Sequence, residues 1–187
     1  QKILEEKYRD PYTVLSYYNE NAAEKDLIQS AFIVMDYTGT VQAVVGGLGE
    51  KPGDGAFNRA TQATRSPGST MKPISTYSLA VQKNLITYST LIPDEAINIG
   101  THDEPQIWPQ NYGEVWGDGT LRTAWYGVQH SLNTLAVRVG RMNTTKAMYT
   151  QLTQMLGFTT LVESDFALSP LCLGALTNGS KLVEVAG

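Results

Sequence analysis

The chain has 187 residues, 42% hydrophobic and 17% charged, the balance of a soluble globular protein long enough to bury one sizeable core. Its net charge of −4 carries no footprint for nucleic acid or an anionic membrane surface, and its one cysteine excludes an internal disulfide. No apolar run of about 18 residues occurs, and His102 and His130 stand without a Cys or His at metal-ligand spacing, so neither a membrane span nor a metal or cofactor site is expected.

Residues 1–30 intermix Tyr, Glu and Lys and predict a lead-in segment of one or two helices broken near Pro11; the opening QKILEEKYRDPY is charged rather than signal-like. AFIVMDYTGTVQAVVGG (31–47) predicts a β-hairpin, with apolar, β-branched runs flanking the turn Asp36-Tyr37-Thr38-Gly39. LGEKPGDGAFNRAT (48–61) reads as a glycine-rich loop, and it lacks the G-x-x-x-x-G-K-[ST] pattern of a phosphate cradle. After the Pro67-Gly68 break a helix is predicted from Ser69 to about Asn84, with Pro73 in the first turn, where proline is tolerated. Residues 87–119, rich in Pro, Gly, Asn and Asp, form a long irregular segment that contains WPQNYG (108–113). Such segments in compact domains are usually functional or contact-forming. LRTAWYGVQHSLNTLAVRVGRM (121–142), TKAMYTQLTQMLG (145–157) and SKLVEVAG (180–187) carry helical periodicity, and Cys172 in FALSPLCLGAL reads as a small buried hydrophobe.

Two strands alone make a marginal sheet, and the sequence stops inside an apolar-periodic helix. Both features predict an incomplete α+β fold whose remaining strands follow residue 187. The expected division is a lead-in over 1–30 and one partial domain over 31–187.

Ser69 and Lys72 are three apart at a helix start, so hydroxyl and amine share a face where backbone N–H groups point outward. Taken bare, the pair reads better as an N-cap serine with a solvated lysine. Ser131-Leu132-Asn133 interrupts an apolar helical pattern (Trp125, Val128, Leu132, Leu135, Val137). By itself that is a local helix irregularity with side-chain-to-backbone hydrogen bonds. Arg59 and Arg65 read as surface residues, and Trp108, Asn111 and Tyr112 as loop anchors as readily as substrate contacts.

The order S-x-x-K and then S-x-N resembles that of the penicillin-recognising serine acyltransferases. The stretches AFIVMDYTGTVQAVVGG, FNRATQATRSPGSTMKP, WPQNY, LRTAWYGVQHSLNTLAVRVG and LGALTNGSKLVEVAG are similar to the transpeptidase domain of class A penicillin-binding proteins, from about residue 28 to the last. The resemblance implies a penicillin-binding transpeptidase, serine β-lactamase-like fold: here the early hairpin and a mainly helical subdomain. It implies peptidoglycan D-Ala-D-Ala transpeptidation outside the bacterial cytoplasmic membrane, with stem peptides as substrate, β-lactams as covalent inhibitors and no cofactor. Ser69 would be the nucleophile and Lys72 its base, with an amine pulled well below its ordinary pKa of about 10.4. Ser131 would relay a proton, and Asn133 would hold the substrate amide and help to position Lys72.

The family's third motif, K-[ST]-G on a strand, has no counterpart after Asn133, and Lys51-Pro52-Gly53 lies on the wrong side of the serine. Weak or no activity is therefore expected of these residues alone. Two alternatives stand beside this reading. A serine β-lactamase or β-lactam sensor shares the first two motifs, but no glutamate takes an evident deacylation role. A non-catalytic piece that self-associates through an open sheet edge belongs to another class.

Overall fold

The computed structural model describes residues 1–51 and 53–187, and Pro52 of the rejected Lys51-Pro52-Gly53 lies outside them. The chain divides into two compact units, residues 1–65 with 180–187 and residues 66–179.

In the first unit the predicted hairpin forms from strands Phe32–Met35 and Val41–Val45, antiparallel with Phe32 opposite Val45. Gly39 supplies the positive φ of the turn, at +80°, and the Asp36 carboxylate accepts the N–H groups of Thr38 and Thr40. The register slips between Val34 and Met35, a bulge in the strand leading into the turn. The helix Lys2–Tyr8 covers the hairpin through Tyr8, which clusters with Val45 and Leu48. Pro11 opens the next short helix, Pro11–Val14, under an Asp10 cap, so the lead-in breaks where proline predicts. At the other end of the sequence, the predicted helix over 180–187 is shortened to Leu182–Ala186. Ser180 and Lys181 instead pair antiparallel with Arg65 and Thr64, and that pairing takes their backbone groups away from a helix.

The second unit is built around the helix Asn133–Asn143, whose Leu135, Ala136, Val137 and Val139 are fully buried. Tyr77, Ala80, Ile86, Ile92 and Ala124 pack with it in one core. The helical run predicted from Ser69 exists but changes pitch: a 3-10 turn over Gly68–Thr70, π-helical turns over Lys72–Tyr77, then α-helix over Ser78–Gln82. The helix Leu168–Leu173 crosses the central helix where Gly140 faces Cys172; a Cβ on that glycine would stand 2.2 Å from the Cys172 sulfur. Cys172 is fully buried, and burial pushes its thiol up to about 11.

The single helix predicted over 121–142 is corrected to three pieces: strand Leu121–Thr123, helix Ala124–Gln129 and helix Asn133–Asn143. Leu121–Thr123 is drawn into a strand by pairing with Leu91–Pro93, and the two helices are separated at Ser131 by a left-handed backbone, φ +52°. Ile97–Asn98 pairs with Ile107–Trp108 in the same irregular segment. These two- and three-residue strands are too short to show alternation, which is why the sequence shows only the hairpin. No helix among the described residues is long and apolar enough to cross a membrane.

Candidate active site

Lys72 stands at the start of the π-helical turns and is only 2% exposed. Its Nζ donates to the Ser131 carbonyl at 2.5 Å, to Asn133 Oδ1 at 2.6 Å and to Ser131 Oγ at 3.1 Å. Three acceptors match the three N–H bonds of an ammonium, yet none is a carboxylate. A buried amine without an opposite charge is destabilised in its charged form, and burial brings Lys72 down to about 8.

Ser131 reaches Lys72 twice because of its backbone. The helix Ala124–Gln129 ends as Ser131 N–H returns to the Val128 carbonyl and Leu132 N–H to the Gly127 carbonyl. The left-handed φ at Ser131 is a conformation that costs a non-glycine residue energy and persists only where its surroundings impose it. It brings both the carbonyl and the hydroxyl of one residue onto the same amine.

Asn133 opens the central helix. Its Nδ2 donates to the Gln110 carbonyl at 2.8 Å, which leaves Oδ1 as the atom facing Lys72. Its backbone N–H donates to Asn111 Oδ1 at 2.8 Å, and that of Thr134 reaches the same oxygen at 3.3 Å. Asn111 in turn donates from Nδ2 to Asp94, a buried carboxylate that also accepts from Thr134 Oγ1 at 2.6 Å and from Arg122 Nε at 3.2 Å.

Ser69 is exposed in the 3-10 turn Gly68–Thr70. The turn is held by Ser66 Oγ, which donates to the Gly174 carbonyl at 2.8 Å, and by Thr70 Oγ1, which donates to the Pro67 carbonyl at 2.6 Å. Gly174 caps the helix Leu168–Leu173 in the left-handed conformation, and a Cβ there would lie 2.1 Å from the Gly68 carbonyl oxygen. Only a glycine allows the approach that seats Ser69.

Of the four predicted residues, Lys72, Ser131 and Asn133 are in direct contact. Ser69 lies on the adjoining turn, three residues before Lys72, without a hydrogen bond from its hydroxyl to the other three. Tyr112 is exposed, whereas Asn111 is bonded into the site. Arg59 lies over the Phe57 ring, and Arg65 donates to the Thr64 carbonyl; both belong to the first unit. Sequence reasoning passed over Asp94, Gln110, Thr134 and Arg122. Gln110 lies in WPQNY, and Arg122 and Thr134 in LRTAWYGVQHSLNTLAVRVG, two of the stretches behind the family resemblance, but neither stretch singles these residues out. Nothing in the sequence around Asp94 marks it.

Residues 29–168 match the penicillin binding protein transpeptidase domain. Penicillin-binding protein 4 of Bacillus subtilis (strain 168) is 33% identical over 181 residues, 94% of this chain and 27% of that protein. Penicillin-binding protein 1A of Neisseria lactamica is 40% identical over 120 residues, 62% of this chain and 14% of that protein. Among solved structures, penicillin-binding protein 1A from Haemophilus influenzae matches with a TM-score of 0.66 at 25% identity, over 85% of this chain and 22% of that one. The chain thus spans 27% and 14% of the two curated relatives' lengths. The match over residues 29–168, together with the shared fold, shows that the chain belongs to the transpeptidase-domain family of penicillin-binding proteins and is similar to those of the 1A type.

Proposed function

We propose that this chain carries the acylating half of a peptidoglycan transpeptidase site, with Ser69 as nucleophile, Lys72 as base, Ser131 as proton relay and Asn133 as the group that holds the amine and the substrate amide. The supporting observation is the buried Lys72 amine, bonded at once to Ser131 and Asn133 and brought near neutral pH by burial. When the ammonium gives up a proton, its two remaining N–H bonds keep the Ser131 carbonyl and Asn133 Oδ1, neither of which can donate. The lone pair then faces Ser131 Oγ, which can.

In this reading Ser69 Oγ attacks the carbonyl of the penultimate D-Ala of a stem peptide, and its proton passes to Ser131 Oγ as Ser131 gives its own to the Lys72 lone pair. The oxyanion takes a hydrogen bond from the Ser69 backbone N–H, one donor of a kind whose loss costs on the order of 10²–10³ in rate. Collapse breaks the C–N bond, the leaving amine takes a proton from Ser131 Oγ, and Lys72 restores that proton. An amine of a second stem peptide then attacks the ester and frees Ser69, with the protons moving in reverse. A β-lactam enters the same first step: its ring amide opens, and the leaving nitrogen stays tethered to the acyl group. The site works on peptidoglycan, hence at the outer face of the cytoplasmic membrane.

The test is intact mass after incubation with a penicillin, for this chain and for Ser69→Ala. An adduct on the unaltered chain alone supports the assignment, and an adduct on both removes Ser69 from its role. No adduct on a folded chain means that these residues do not acylate without further parts of the domain.

A second reading rests on the hairpin, a two-stranded sheet with Phe32, Val34 and Val41 exposed. The Gln1 side chain takes both backbone groups of Val44 on the edge of Val41–Val45, so the edge of Phe32–Met35 is the one that can pair with another copy. Sedimentation that stays monomeric at high concentration ends that reading.

A further inference from the structure

We infer that Asn111, anchored on Asp94, is a positioning residue for the Lys72–Asn133 pair: it fixes from outside the helix where the first residue of that helix presents its side chain. The central helix has no cap of its own. Its N-cap residue, Leu132, offers no side-chain acceptor, and the first-turn N–H groups of Asn133 and Thr134 are satisfied by Asn111 Oδ1, 22 residues earlier in the chain.

The chemistry of the partners sets the orientation of each amide. Asp94 is buried and acceptor-only, so Asn111 must turn its NH₂ toward it and its oxygen toward the helix. The neighbouring Gln110 carbonyl is likewise acceptor-only, so Asn133 turns its NH₂ there and its oxygen toward Lys72. Two adjacent residues, Gln110 and Asn111, therefore hold Asn133 by side chain and backbone together. Asp94 is fixed in turn by Thr134 Oγ1 and by Arg122, which also pairs with Asp118 at 2.9 Å. The arrangement runs from an exposed ion pair to a buried amine with a defined donor and acceptor at each step.

Without Asn111, the opening of the helix loses its cap, and Asn133 Oδ1 is no longer pressed against Nζ. The ammonium then lacks one of three acceptors while the amine stays buried, which favours the neutral form. The inference rests on the reading of Lys72 as the base, but its test does not need turnover.

Lysine labelled with ¹³C at Cε reports the Lys72 titration by NMR. For Asn111→Ala the titration midpoint falls below that of the unaltered chain, and the acylation rate at its high-pH plateau drops about tenfold, as a misplaced catalytic group requires. Val139→Ala, on the same helix and outside the network, lowers stability without moving the midpoint. Asn111→Ser serves as a second, more polar replacement should the alanine variant not fold, and the same fall is expected. An unchanged or raised midpoint in the folded Asn111 variants overturns the inference, as does an equal fall in Val139→Ala. If the midpoint responds as expected while the unaltered chain takes up no penicillin, the positioning role stands and acylation by these residues alone fails.

Discussion

Lys72 Nζ lies 2.6 Å from Asn133 Oδ1 across 61 residues of sequence, and the Asn133 amide can face it in one sense only, because Nδ2 is held by the Gln110 carbonyl. A carbonyl oxygen accepts from an ammonium and from an amine alike. Asn133 can therefore keep Nζ in place while the charge on it changes, which suits a base that must lose and regain a proton without moving.

The first prediction concerns pH. Burial brings Lys72 to about 8, so its neutral fraction grows as pH rises through that value. Acylation by a penicillin should climb with a midpoint near 8 and level off above it. Stability moves the same way. The folded amine sits below its ordinary value of 10.5, so between about 8 and 10.5 the unfolded chain binds the extra proton, and stability rises with pH across that window. Lys72→Met should lack this slope in urea denaturation. An acylation rate independent of pH across the midpoint would contradict the assigned base.

How much of this was legible in the sequence depends on how local each feature is. The hairpin and the break at Pro11 follow from turn and proline chemistry within a few residues, and both appear where expected. The helix over 121–142 failed because its interruption at Ser131 is imposed from outside. The Lys72 amine, 59 residues away, takes the Ser131 carbonyl, while the Gly127 and Val128 carbonyls of the preceding helix close the turn, and periodicity does not register the distant contact. Asp94 escaped because the three side chains that bond its carboxylate, Asn111, Arg122 and Thr134, lie 17 to 40 residues along the chain. Ser69 and Lys72 stand out only through the order S-x-x-K then S-x-N, whose resemblance to a known family joins residues that spacing alone leaves unrelated.

Ser131 separates backbone from hydroxyl. Ser131→Gly accepts the φ of +52° freely, whereas Ser131→Ala keeps the strain, so the glycine variant should be the more stable of the two by about 1 kcal/mol. Both lose Oγ, and both should acylate on the order of 10²-fold more slowly than the unaltered chain if Ser131 relays the proton. Equal stabilities by urea denaturation would show an unstrained turn. Undiminished acylation in either variant would remove Ser131 from the relay.

Gly174 tests whether the seat of Ser69 is set by contact with a neighbouring helix end. Its φ is +75°, and a Cβ would meet the Gly68 carbonyl oxygen at 2.1 Å and the Gly68 nitrogen at 2.7 Å, both backbone atoms that cannot swing aside. Gly157 is the control: its φ is +69°, but nothing lies within 4 Å of its Cβ position. Gly157→Ala should cost about 1 kcal/mol, the backbone strain alone. Gly174→Ala adds a steric clash, for a total of about 2–4 kcal/mol, and displaces the turn Gly68–Thr70. In the variant that still folds, acylation should slow while the Lys72 titration holds its midpoint, because the bonds of Nζ run to Ser131 and Asn133 and not to the displaced turn. Chemical denaturation with intact-mass kinetics reads both effects. Equal losses of stability in the two alanine variants would mean that the close approach at Gly174 does not fix the serine's position.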